Sequence, residues 1–83
     1  MRIDRFLFFI RLVKSRTLAQ SLIAEGHVRI DGRHVEKASE DVRPGSIVAL
    51  PLHGRVRIVR VLSLPGRRGP ASEARACYEE VGN

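Results

Sequence analysis

Lys14 and Arg16 flank Ser15 at what reads as the start of a helix, within the segment KSRTLAQSLIAEG over residues 14–26. Cations at a helix N-terminus oppose the helix dipole by a few tenths to about 1 kcal/mol. The placement turns favourable when the free amides of the first turn and the two cations receive an anion together, such as a phosphate. Ser15 is a preferred N-cap residue, and Thr17 is a second contributor. Leu18, Ala19, Leu22 and Ile23 fall on one stripe, while Gln20, Ser21 and Glu25 lie away from it. Gly26 suits the left-handed position that ends such a helix.

More cations follow on a predicted hairpin over residues 27–37. Val28 and Ile30 alternate inward, with His27, Arg29 and Asp31 on the other side. Asp31-Gly32 fits a two-residue type I′ turn. The returning strand is expected to set Arg33 beside Arg29. Like charges side by side on paired strands are unfavourable unless a polyanion lies across them.

Other chemistry finds little support. His27, His34, His53 and Cys77 lack zinc-finger spacing. The chain has no nucleophile elbow, phosphate-binding glycine loop, dinucleotide fingerprint or H-E-x-x-H pair. Asp4 is expected to cap the first helix and Asp31 to serve its turn, so neither is free for acid–base catalysis. A non-enzymatic protein without metal or cofactor is expected. Cys77 is the only cysteine, which excludes an intrachain disulfide. The apolar run Phe6–Ile10 is too short to span a bilayer. A cytoplasmic protein with no membrane or small-molecule partner is therefore expected.

Composition points the same way. The 83 residues carry 15 Lys and Arg against 9 Asp and Glu, a net charge of +6, and Lys14 and Lys37 are the only lysines. Arginine forks match phosphate oxygens in pairs and stack on bases.

The elements that must position these groups are short. A helix is predicted from Asp4 to about Leu12, with Ile3, Phe6, Leu7 and Ile10 on its apolar face and Phe8, Phe9, Leu12 and Val13 broadening it. Residues 38–46 read as a loop with a turn at Pro44-Gly45, Ile47–Leu50 as a strand closed by Pro51, and Leu52–Gly54 as a turn. Arg55–Leu64 reads as a longer strand with Val56, Ile58, Leu62 and Leu64 on one face and Val59 and Val61 on the other; a bulge or second covered surface would account for both. After the breaker PGRRG, a last helix is expected from Pro70, with Ala74, Cys77, Tyr78 and Val81 on one stripe.

RIDRFL at 2–7, KSRTLAQSLIAEGHVRIDG at 14–32, VEKAS at 35–39 and VRPGS at 42–46 together resemble the S-four domain, the RNA-binding module named after small-subunit ribosomal protein four. The stretch VRVLSLPGRRGPASEARACYEE is similar to the C-terminal extension of its stand-alone bacterial subfamily, ribosome-associated heat-shock protein fifteen. The resemblance implies an α+β fold in a single domain over 1–83. Two N-terminal helices would pack on a short, mainly antiparallel sheet, the αL-type RNA-binding motif, as a core over 2–50. A strand and C-terminal helix would extend it over 51–83. It implies RNA-binding positions at Arg2, Asp4, Arg5, Lys14, Ser15, Arg16, Thr17, Gln20, His27, Arg29 and Lys37. It also implies ribosomal RNA of the large subunit as partner, with tRNA beside it, in a stress-linked rescue of stalled ribosomes. A monomer is expected.

Two departures stand out: Asp31-Gly32 replaces the family's usual Asn-Gly, and Ala38 replaces a common proline. The alternative reading is a protein-interaction or ribosome-assembly factor whose basic surface meets an acidic partner. Arg16→Glu is expected to weaken RNA binding without disturbing the fold.

Overall fold

Ser15 Oγ accepts the Leu18 amide at 3.0 Å, and a helix starts there as its N-cap chemistry dictates. The computed structural model describes residues 1–82. In chain order the elements are α1 (Ile3–Phe9), α2 (Arg16–Ala24), β1 (Arg29–Ile30), β2 (Arg33–His34), β3 (Ile47–Leu52), β4 (Arg55–Val61), α3 (Ala71–Arg75) and β5 (Tyr78–Glu80). The strands form one antiparallel sheet in the order β2-β1-β3-β4-β5. One core joins Ile3, Phe6, Leu7 and Ile10 of the first helical segment, Ala19 and Ile23 of α2, and Ile30, Val48, Leu50, Val59 and Val61 of the sheet. The α+β class and the two-helix-on-sheet arrangement follow the sequence reading.

Local signals were obeyed closely. Gly26 takes φ +78° just after the α2 C-cap, and Asp31 and Gly32 take φ +52° and +84°, the left-handed pair that a type I′ turn requires. Asp31 Oδ1 also accepts the Ile47 amide at 2.9 Å, so this side chain stitches the turn to β3.

Several expectations are corrected. α1 stops at Phe9 rather than Leu12. Arg11 adopts φ +64°, and the Leu12 and Val13 amides both turn back to the Leu7 carbonyl. This break lets Leu12 and Val13 enter the core alongside Ile10. Asp4 does not cap the helix: Arg2 is the N-cap, without a side-chain bond, and Asp4 lies inside the first turn. Arg33 does not face Arg29. The register sets Arg29 against His34 and Ile30 against Arg33, and Arg33 instead pairs with Glu40. Leu18 is 41% exposed, so the buried stripe of α2 is narrower than its spacing suggested.

β3 runs through Pro51 to Leu52. β1 pairs only Val48 and Ala49, so beyond them that side of β3 is open and tolerates a residue without an N–H. The β3–β4 register is continuous from Ile47↔Arg60 to Leu52↔Arg55, with no bulge. The core face of β4 carries Val59 and Val61, while Val56 and Leu62 point outward, 57% and 45% exposed. The last helix is shorter than its spacing suggested. Ala74 and Cys77 are buried as expected, but α3 ends at Arg75 and Tyr78–Glu80 form a strand against Val59–Val61. Its acids pair across the sheet, Glu80 with Arg57 and Glu79 with Arg60. The two edge strands are thus brief: β2 has two residues and β5 three.

Candidate nucleic-acid interface

A carboxylate two residues after the α1 N-cap gathers the first half of the candidate site. Asp4 is buried, with a relative exposure of 0%. Its Oδ1 accepts Arg2 Nε at 3.1 Å and the Arg5 amide at 2.7 Å. Its Oδ2 accepts Arg2 Nη2 at 3.1 Å, Arg16 Nη2 at 3.2 Å and Gln20 Nε2 at 3.0 Å. Burial is the largest single influence on this acid and opposes ionisation. The bonds from Gln20, Arg2, Arg16 and the Arg5 amide together outweigh it, and the pKa falls from 3.8 to about 2.

This arrangement ties the start of α1 to the start of α2. The two guanidinium groups are held from beneath, while 43% of the Arg2 side chain and 38% of the Arg16 side chain stay exposed. Arg16 Nε is buried without a partner among the described residues. At the α2 N-terminus, Ser15 Oγ takes the Leu18 amide, while the Arg16 and Thr17 amides donate to no group among the described residues. Lys14 and Thr17 are exposed beside them.

The loop after β2 joins the same region. The Asp4 amide donates to the Ala38 carbonyl at 3.3 Å and the Ile3 amide to the Glu40 carbonyl at 2.7 Å. Lys37, one residue before Ala38, is thereby carried toward the α1 N-terminus. Glu40 shapes this loop: its carboxylate takes Arg33 Nη1 at 2.6 Å and the Glu36 and Lys37 amides. Arg33, with those amides, holds the Glu40 carboxyl below the ordinary glutamate range.

Of the residues expected at the site, the hydrogen bonds unite Arg2, Asp4, Arg5, Arg16 and Gln20; Ser15, Thr17 and Lys14 adjoin them along the chain, and Lys37 comes with its loop. Arg29 and His27 are not joined to them. Arg29 lies on β1 and meets the His34 ring at 3.3 Å. His27 is exposed beyond the α2 C-terminus, its amide bonded to the Leu22 carbonyl. Asp4 is corrected in kind: with no exposed surface it cannot touch a ligand, and it positions Arg2, Arg16 and Gln20. Among the described residues, Arg5, Lys14, Arg29 and Lys37 form no ion pair with a carboxylate.

Sequence reasoning missed the hub role of Asp4. The signal was present: a lone acid inside the apolar segment IDRFLFFI must be met by donors if it is buried. It also missed the backbone clamp from residues 38–40, which leaves no trace in side-chain patterning.

The S4 domain model matches residues 1–48, the stretch that contains this hub. The chain is 39% identical over 64 residues to the RQC P-site tRNA stabilizing factor of Bacillus subtilis, covering 77% of this chain and 73% of that one. It is 35% identical over 81 residues to heat shock protein 15 of Escherichia coli, covering 98% of this chain and 60% of that one. It spans about a quarter of small ribosomal subunit proteins uS4, which it matches less completely: 27% of the one from Kosmotoga olearia. A trimeric structure of Vibrio cholerae heat shock protein 15 superimposes with a TM-score of 0.92 at 27% identity, over 98% of this chain and 81% of that one. The fold, the matched segment and the whole-length similarity agree: the chain belongs to the S4 domain family.

Proposed function

We propose that the protein is a non-enzymatic RNA-binding factor that docks on structured ribosomal RNA, on large subunits that carry a stalled nascent chain on tRNA. One observation carries the RNA reading: a buried carboxylate holds two arginines and a glutamine at the N-terminus of α2, where two backbone amides have no partner among the described residues. Such an assembly presents cations and amides together at fixed spacing, as phosphate capture requires. Lys14, Arg5 and Lys37 add charge around it that no carboxylate among the described residues pairs. Side chains cannot read the deep groove of an RNA duplex, so recognition proceeds by shape and backbone contact. The tRNA and the link to stress draw support from the names of two relatives, the RQC P-site tRNA stabilizing factor of Bacillus subtilis and heat shock protein 15 of Escherichia coli.

Arg16→Glu is a poor test, because it sets a second carboxylate against Asp4. Lys14→Glu and Arg5→Glu change exposed side chains that make none of the hub's bonds, since Arg5 joins it through its backbone amide alone, with Arg75→Glu on α3 as control. Binding to purified large subunits is expected to weaken at least tenfold for Lys14→Glu and Arg5→Glu combined, and far less for Arg75→Glu. With about six phosphate contacts, log affinity should fall with log salt at a slope of about −4 to −5. Equal affinity of all variants would remove this surface from RNA binding. Sedimentation with ribosomes only when translation is stalled would support the rescue role; absence from ribosomal fractions in both conditions would remove it.

A further inference from the structure

Beside the α2 N-terminus lies an open groove that phosphate capture leaves unexplained. It measures about 460 Å³ and runs between α2 and the β3–β4 turn. Leu18 and Leu22 form one wall, and Pro51 and Leu52 the other. Its size falls within the range of about 300–1,000 Å³ found for small-ligand sites. Leu18, a large apolar side chain in the first turn of α2, is 41% exposed here.

The rim is what selects an occupant. Arg11, Lys14 and His53 line the groove, and no acid does among the described residues. Two of these groups carry flat faces, and one of them is held in place. Arg11 sits at φ +64° and donates from Nε to the Gly69 carbonyl at 2.7 Å, so its guanidinium is anchored. His53 sits at φ +52° at the first position of the β3–β4 turn, a conformation that glycine or asparagine adopts more cheaply. Lys14 belongs both to this rim and to the cationic start of α2, one residue before the cap Ser15.

We infer that this groove receives the base of one unpaired nucleotide in the bound RNA. Aliphatic walls would flank the base, the His53 ring would stack on its face with the Arg11 guanidinium beside it, and Lys14 would hold its phosphate. Splayed-out bases are bound by RNA-binding proteins through just such stacking on histidine and arginine planes. The inference rests on the RNA reading above and adds a feature to it: the duplex is gripped by its backbone, and an adjacent unpaired base is gripped by its face. An acidic, leucine-rich peptide would satisfy the same charge rule, but would not account for two flat groups around a slot continuous with the phosphate-binding turn.

The test uses the whole chain and two labelled RNA hairpins, one fully paired and one identical except for a single unpaired adenosine in the stem. The wild type should bind the second about 10-fold more tightly, the scale of stacking one base on a side chain. Leu18→Ser and His53→Asn should each erase that preference and leave the affinity for the paired hairpin unchanged. His53→Asn keeps a residue tolerant of the left-handed backbone, so a loss there is not a folding effect. Equal wild-type affinity for the two hairpins overturns the inference while leaving the RNA reading in place, as does a preference that survives in either variant. Failure to bind either hairpin removes the RNA reading and the inference with it. A glutamate- and leucine-rich peptide that binds the wild type but not Leu18→Ser, in the absence of any preference between hairpins, assigns the groove to a protein partner instead.

Discussion

Asp4 Oδ2 and Arg16 Nη2 lie 3.2 Å apart, and this contact fastens the N-terminus of α1 to that of α2 across 12 residues of chain. The pair makes folding and cation placement one problem. Because the Asp4 pKa is depressed from 3.8 to about 2 in the folded state, its contribution is present above the unfolded value and is lost as pH falls through about 2. The shift corresponds to about 2 kcal/mol. Urea unfolding between pH 6 and pH 2 should show this loss for the wild type, and Asp4→Asn should remove most of the slope while lowering stability at pH 6.

Replacing Arg16 tests the same contact from the other side. Arg16→Glu brings a carboxylate against a buried carboxylate, and it should cost about 2 kcal/mol or more. Arg16→Met keeps the stem and deletes only the charge, so it should cost less. Thermal melts that rank the two equally would show that Arg16 contributes nothing through Asp4.

Asp31 offers a contrast between charge and geometry. Its Oδ1 accepts the Ile47 amide and its φ is +52°. An asparagine at this position would keep both the acceptor and the left-handed tolerance, so Asp31→Asn should change stability by no more than about 0.5 kcal/mol. Asp31→Ala loses both and should cost about 1–2 kcal/mol, read by denaturant midpoint.

The strap after β4 is a separate element of stability. Arg68 lies with its guanidinium carbon 4.6 Å from the Phe8 ring centroid and donates from Nε to the Phe8 carbonyl at 3.1 Å. It thereby adds a second donor to a carbonyl that also accepts the Arg11 amide at 3.1 Å, at the early end of α1. Arg68→Ala should cost about 1–2 kcal/mol. Hydrogen exchange should locate the loosening at residues 8–13 and 65–70, and uniform change across the sheet would argue against a local strap.

The elements set by local chemistry were legible in the sequence. Ser15 and Gly26 bracket α2 because a cap and a left-handed stop act within one turn, and Asp31-Gly32 makes its turn without help from afar. What could not be read depended on partners distant in the chain. Val56 and Leu62 alternate as cleanly as Val59 and Val61, and only the side on which α1 and α2 settle decides which pair is buried. The spacing of Ala74, Cys77 and Tyr78 fits a helix, yet the open edge of β4 offered Tyr78–Glu80 a ladder and two arginines for its acids. At the site, the Ser15 cap was legible because it acts within one turn. Asp4 was misread because a cap is a local role and a hub needs Gln20, 16 residues away.

The two edges of the sheet have a further consequence. A two-residue edge at Arg33–His34 and a three-residue edge ending in Glu79-Glu80 give a neighbouring molecule almost no exposed ladder to extend, and what there is carries charge. Sheets are protected from growing into one another by edges of this kind. Copies crowded along one polyanion, where local concentration is high and mutual repulsion is screened, can therefore sit side by side without zipping into a fibre.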